Sequence, residues 1–248
     1  MSRGVVLVTG ASAGLGEEMA RQFADLGYDL ALCARRTERL DALAAEITAR
    51  TGRRVETAAL DVTDADAVPA VFARFAESFG SIDRVVVNAG IGKGAALGTG
   101  RADANRATAM TNFVGALAQT EAALEIFRRQ ERGHLVLVSS MSALRGMRRA
   151  MTTYAATKAG VAALAEGLRS ERIPGVDVSV VYPGYIRSEM NAHVQQRTRF
   201  MVDTRTGVRS MVAAIEKRRA TAYVPAWPWV PIGVLMRVLP LSVVRKLT

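Results

Sequence analysis

Short apolar, β-branched runs recur along this chain at intervals long enough to hold a helix, and that alternation restricts its fold more than any other feature. GVVLVT (4–9), YDLALCA (28–34), RRVETAAL (53–60), IDRVVVN (82–88), GHLVLVS (133–139) and VDVSVVY (176–182) read as strands. Helices are predicted from Gly14 to about Leu26, after the second strand to about Arg50, and over about 64–79, 103–131 and 152–172. Apolar strands separated by helix-length segments form βαβ units, whose sheet is parallel and covered on both faces. The expected fold is α/β, a doubly wound parallel sheet of about seven strands in three αβα layers, with the last strand near 221–224. No linker or internal repeat divides the 248 residues, so they are read as one domain.

Composition narrows the partners. Cys33 is the only cysteine, which excludes an intrachain disulfide and a four-cysteine metal site, and no metal is expected. The opening MSRGVVLVTG does not read as a secretory leader, so a reducing, cytoplasmic location is expected. A formal net charge of +10 invites nucleic acid or an anionic surface, but the arginines are scattered over the whole chain. Without a zinc-finger spacing, an aromatic RNA-binding motif or a basic heptad region, no nucleic-acid partner is expected.

The first strand runs directly into Thr9-Gly10-Ala11-Ser12-Ala13-Gly14-Leu15-Gly16 and then into a helix. Gly10 suits the tight turn leaving the strand, Gly14 a close approach of backbone to a pyrophosphate, and Gly16 close helix–sheet packing. The helix N-terminus adds unpaired N–H groups and partial positive charge. A doubly wound sheet with this turn is Rossmann-like. The spacing Gly-x-x-x-Gly-x-Gly departs from the common Gly-x-Gly-x-x-Gly, and in this it resembles the short-chain dehydrogenase/reductase family. Further motifs of that family follow in order: Asp61-Val62, Asn88-Ala89-Gly90, Asn112, Ser140, Tyr154-x-x-x-Lys158 and Pro183-Gly184. The resemblance covers about residues 4–224. It implies that Gly10, Ser12, Ala13, Gly14, Leu15 and Gly16 cradle a nicotinamide dinucleotide, that Asp61 and Val62 flank its adenine, and that Asn88, Ala89 and Gly90 leave room beside it. Pro183 and Gly184 would lie beneath the nicotinamide, with Ile186 and Ser188 completing the contacts; relatives often carry threonine near the position of Ser188.

An acidic residue about 20 positions beyond the last glycine would hold the ribose hydroxyl of NAD. This chain has Cys33-Ala34-Arg35-Arg36 there, and Asp29 comes too early in the strand. A guanidinium grips a phosphate by paired, charge-assisted hydrogen bonds, so NADP(H) is expected in preference to NAD(H), with Arg35 as first contact and Arg36 as support. The plainer alternative makes both arginines surface residues of a helix start. Ala13 also stands where many NADP-preferring relatives are basic.

Tyr154 and Lys158 are four apart in a predicted helix, which puts them on one face, one turn apart. A tyrosine with its usual pKa near 10 is a poor base, and a neighbouring ammonium together with the positive nicotinamide of the oxidised cofactor is expected to lower it. Tyr154 would pass a proton to a carbonyl oxygen, or take one from an alcohol, while Lys158 also bonds the nicotinamide ribose. Ser140, at the end of a strand, would hold the same oxygen; Ser139 points the other way. By the resemblance, Asn112 anchors a water that links Lys158 to solvent.

Residues 185–205 are expected to form the substrate segment, with Met190, His193 and Phe200 as lining and Arg197 and Arg199 exposed. Arg145, Arg148 and Arg149 suggest an anionic handle on the substrate. The tail 225–248 is apolar, but Pro225, Pro228, Pro231 and Pro240 argue against a membrane-spanning helix. It is expected to cover the pocket or a subunit contact, with peripheral contact to a membrane surface as the second reading. The function expected is reversible carbonyl/alcohol hydride transfer on a hydrophobic small molecule by a homodimer or homotetramer. The alternatives are an epimerase or dehydratase, for which the C-terminal part is short, and an NADP(H) sensor, which would have little use for Tyr154, Lys158, Ser140 and Asn112 together.

Overall fold

The computed structural model describes residues 2–191 and 200–247. Its strands are β1 (Val5–Thr9), β2 (Asp29–Ala34), β3 (Val55–Ala59), β4 (Arg84–Val87), β5 (Gly133–Val138), β6 (Val176–Pro183) and β7 (Thr221–Val224). They form one parallel sheet in the order β3-β2-β1-β4-β5-β6-β7. β1 pairs with both β2 and β4, with Val6 beside Leu30 on one side and Arg84 on the other. The direction of growth reverses at this pair, and in such sheets the crevice beyond the strand ends is where ligands bind.

Helices α1 (Gly14–Asp25), α2 (Thr37–Thr51) and α7 (Thr204–Glu216) cover one face; α3 (Ala67–Phe79), α5 (Gly115–Gln130) and α6 (Met151–Glu171) cover the other. The period of two in β1 splits its side chains accordingly. Val6 and Val8 join Met19, Phe23 and Ile47 in one core, whereas Val5 and Leu7 join Phe72, Phe75 and Phe127 in the second. Both cores are needed, because a strand apolar on both sides must be covered on both sides.

Three elements go beyond the sequence expectation. The predicted helix over 103–131 is α4 (Ala102–Ala109), a π-helical turn (Met110–Val114) and α5 in succession. α7 begins inside the expected substrate segment, where the Asp203 carboxylate caps it by accepting from the Thr206 N–H at 2.9 Å. The tail folds into α8 (Ala226–Val238) and α9 (Leu241–Leu247). No described helix is long and apolar enough to cross a membrane.

Away from the crevice, Arg84 of β4 is buried among aromatic rings, its guanidinium 5.4 Å from the Phe23 centroid and 5.3 Å from that of Tyr28. It donates to Glu216 at 2.6 Å and to His134 Nδ1 at 3.0 Å, which leaves His134 Nε2 to donate to Ser179 Oγ at 2.8 Å. Burial, reinforced by the Arg84 charge, lowers His134 to about 3 from an ordinary 6.5. The unfolded chain therefore takes up this proton below about pH 6.5 while the native state resists until about 3, so acidification across that window favours unfolding. His134→Gln should flatten the decline of unfolding free energy with falling pH by up to about 1.4 kcal/mol per pH unit, as read from urea melts between these limits.

Candidate active site

Four strand ends converge to build the site. After β1, Gly10 turns the chain at φ +65°, and a Cβ there would stand 2.9 Å from the Ala89 Cα. A Cβ on Gly16 would stand 2.4 Å from the Gly10 carbonyl oxygen, so α1 seats on its own turn only with glycine. The α1 N-cap is Ala13, which has no side-chain oxygen for the first-turn N–H groups. A close-packed glycine turn and uncommitted N–H groups fit the phosphates of a dinucleotide. Thr9 ties this turn to β4: its Oγ accepts from the N–H groups of Asn88 (3.0 Å) and Ala89 (3.1 Å), and Asn88 Nδ2 donates to the Thr9 carbonyl at 2.9 Å.

β5 and α6 supply the polar centre. Ser139 is buried and its hydroxyl donates to the Lys158 carbonyl at 2.8 Å, which pins α6 to the strand end. Ser140 caps a short 3₁₀ turn (Met141–Leu144) and accepts from the Ser142 N–H at 3.2 Å and the Ser142 hydroxyl at 3.0 Å. Tyr154 is partly buried, and the Ser140 hydroxyl acts on its phenol. Lys158, one helical turn on, is buried and donates from Nζ to the Val138 carbonyl at 2.8 Å. Gly90 lets Asn112 and Lys158 close in together: a Cβ there would meet Asn112 Oδ1 at 3.2 Å and Lys158 Nζ at 3.5 Å.

Asn112 sits in the π-helical turn, fully buried, with both ends of its amide spent on one residue. Its Oδ1 accepts from the Ile91 N–H at 2.7 Å and its Nδ2 donates to the Ile91 carbonyl at 2.8 Å. The amide therefore acts as a clamp on the chain leaving β4. Lys158 alone does not lower the tyrosine. Burial pushes the Tyr154 phenol above its ordinary value, and the Ser140 hydroxyl offsets only part of this. Burial brings Lys158 down to about 8. For Lys158 desolvation dominates because the side chain is buried, with its ammonium directed at Val138.

At the adenosine end, Arg35 is exposed and reaches Asp61 at 3.7 Å, beside a hollow of about 290 Å³ lined by Arg35 to Arg39. Arg36 donates to Ser12 Oγ at 3.2 Å and pairs with Glu189 at 3.0 Å, a carboxylate also held by Arg39. The Asp61 carboxyl is held below its usual value first by the Thr63 N–H and also by Arg35. Val62 is buried against α5, its carbonyl where a Cβ on Gly115 would go, and Leu15 packs on the α1-side core. Pro183 ends β6; Gly184 donates to the Val224 carbonyl at 2.9 Å and lies flat under the Trp229 indole. Ser188 faces Gly14, but the Ile186 side chain turns into the core against Gly207.

On the substrate side, Met190 packs on Gly92, and Phe200 is exposed. His193, Arg197 and Arg199 lie outside the described residues. Arg145 donates to the Leu239 carbonyl at 2.9 Å, which leaves Arg148 and Arg149 as the exposed pair. Thr9, Ser142, Glu189 and Trp229 were not read as site residues from the sequence. Thr9 stands inside the glycine motif and Ser142 two residues beyond Ser140; Glu189 and Trp229 carry no such local signal.

Comparison with known proteins then decides the family. A model described as short chain dehydrogenase matches residues 4–199. The chain belongs to the short-chain dehydrogenase family. An uncharacterized oxidoreductase of Mycobacterium tuberculosis is 51% identical over 248 residues, 99% of this chain and 98% of that protein. One from Myxococcus xanthus is 36% identical over 235 residues, 92% of this chain and 89% of that one. Among solved structures, the short-chain dehydrogenase from Sphingobium yanoikuyae in complex with NADPH is 28% identical with a TM-score of 0.81, covering 96% of this chain and 97% of that one. This short-chain dehydrogenase is thus an NAD(P)-dependent oxidoreductase.

Ser142→Ala removes one of the two donors that orient Ser140 and leaves the backbone one. Turnover should fall about fivefold, the equivalent of one neutral hydrogen bond, with an unchanged melting temperature as the control for folding.

Proposed function

We propose that this short-chain dehydrogenase interconverts a carbonyl and an alcohol on a hydrophobic small molecule, using NADP(H), with Tyr154 as general acid/base. The observation that carries the reading is the convergence of Tyr154, Ser140, Lys158 and Asn112 beside the glycine turn, at the crevice where sheet growth reverses. When bound, the nicotinamide supplies or accepts the hydride.

In the direction of reduction, the raised pKa of Tyr154 keeps its phenol protonated at neutral pH and ready to donate to the carbonyl oxygen. Ser140, oriented by Ser142, donates to the same oxygen and stabilises the negative charge that develops there. Lys158 has donors to spare beyond Val138, and its positive charge favours the phenolate left after proton transfer. Asn112 holds Ile91, and with it the cleft wall leaving β4, in place.

Arg35 supports the choice of cofactor. Its exposed guanidinium stands at the α2 start with a loose partner in Asp61, open to a ribose phosphate, while Arg36 is held by Ser12 and Glu189. Met110, Val114, Leu117 and Met151 are exposed on the helical layer of α4, α5 and α6, and a second copy of the chain is the proposed cover for them.

The test is loss of NADPH absorbance with a panel of ketones, aldehydes and acyl thioesters. Tyr154→Phe should lower turnover by about 10²–10⁴-fold without weakening cofactor binding to a similar degree. Arg35→Ala should lower kcat/KM for NADPH by about tenfold or more and leave NADH within about twofold; a wild type that prefers NADH would overturn the cofactor reading. Reduction should slow as pH rises through about 8, where Lys158 loses its charge. A flat profile to pH 10 would remove Lys158 from the proton-transfer step.

A further inference from the structure

The C-terminal helices have two unlike faces. On the inner side of α8, Trp229 lies on Gly184, and Gly233 admits Met141, Leu144 and Tyr223. The outer side is apolar and uncovered. Trp227 is 78% exposed, Val234 58%, Val238 71% and, at the start of α9, Leu241 58%, with Val230 in the same series. Val230, Val234 and Val238 recur every four residues and so form one stripe, with exposed Trp227 just before it in the chain, at a non-helical backbone position, and exposed Leu241 just after it.

The charges around this stripe have one sign. No Asp or Glu occurs from Lys217 to Thr248, or from Arg132 to Ala165, and these segments include α9, and also β7 and the Met141–Leu144 turn that α8 packs against. Arg145 binds the Leu239 carbonyl between α8 and α9 and so brings the loop with exposed Arg148 and Arg149 against the helical tail. Arg237 lies over the Tyr223 ring at 5.9 Å. Glu166, the one carboxylate acting on the neighbouring Tyr182 hydroxyl, acts there together with Arg169 and Arg237.

We propose that the outer face of α8 and the start of α9 dock in the interfacial layer of an anionic lipid membrane, with Trp227 and the valine stripe among the acyl chains and the loop carrying Arg148 and Arg149 at the headgroups. A surface that combines an apolar stripe and a tryptophan with a cationic rim matches both layers of such an interface. A second copy of the chain is a poor cover for this face, because it would set the same arginines against one another. The docking is peripheral and independent of the hydride-transfer reading.

The experiment uses the full chain and two vesicle preparations, phosphatidylcholine alone and phosphatidylcholine with an equal part of phosphatidylglycerol. The chain should co-sediment with the anionic vesicles at low ionic strength, and Trp227 emission should shift to the blue. The triple variant Trp227→Ser/Val234→Ser/Val238→Ser should lose affinity by about tenfold or more, with an unchanged melting temperature because all three side chains are exposed. If that variant folds poorly, Arg148→Gln/Arg149→Gln supplies the test by reducing binding to the anionic vesicles alone. The proposal is overturned if the wild type stays in the supernatant at low ionic strength, or if the triple variant sediments as well as the wild type. It is equally overturned if light scattering shows the triple variant splitting an oligomer while the wild type ignores vesicles, which would put a second copy on this face.

Discussion

The spacing between the ends of β1 and β4 is the constraint on which the site depends. Gly10 touches Ala89 with no room for a side chain, and the Thr9 hydroxyl fastens two successive N–H groups of the neighbouring strand end. With that spacing set, Gly90 falls between Asn112 and Lys158, and the chain leaving β4 can be clamped at Ile91. A methyl group at Gly10 or Gly16 would meet backbone, which cannot yield as a flexible side chain can, so the turn tolerates little substitution.

Desolvation is the common cause behind the altered acid–base groups. It raises Tyr154, lowers Lys158 to about 8 and lowers His134 to about 3, in each case against the charged form. The consequences differ with the surroundings. His134 is held neutral between Arg84 and Ser179 and serves the packing of the sheet. Tyr154 and Lys158 border the crevice, where a substrate oxygen and a second charge can alter the balance. The local geometry supports this division: Ser139 and Val138 tie Lys158 and its helix to β5, while Ser140, the very next residue, faces Tyr154.

Much of the fold was legible because strands buried on both faces leave an unmistakable pattern of apolar runs, and β1, β2 and β4 to β6 fall where those runs lie. The π-helical turn at Met110–Val114 was not legible, since a single widened turn leaves the helical period almost unchanged. The start of α7 falls in the segment expected to cover the substrate, although Asp203 is an ordinary cap, and the rest of α7 lies just beyond it. Its prolines mark the tail as non-spanning; they do not reveal its two helices, or the packing of Trp229 on Gly184, a contact between residues 45 positions apart.

What the sequence by itself determined is whatever depends on local spacing: the alternation that demands a parallel sheet, the glycines at the first turn, and the four-residue interval that puts Tyr154 and Lys158 on one side of a helix. What only the tertiary structure decided is direction and environment. It turned Ile186 into the core, engaged Arg36 with Glu189 and Arg145 with Leu239, spent the Asn112 amide on Ile91, and raised Tyr154 despite its neighbouring lysine. The physical reason is that hydrogen-bond partners and dielectric surroundings are set by residues distant in the chain, and no period or motif records them.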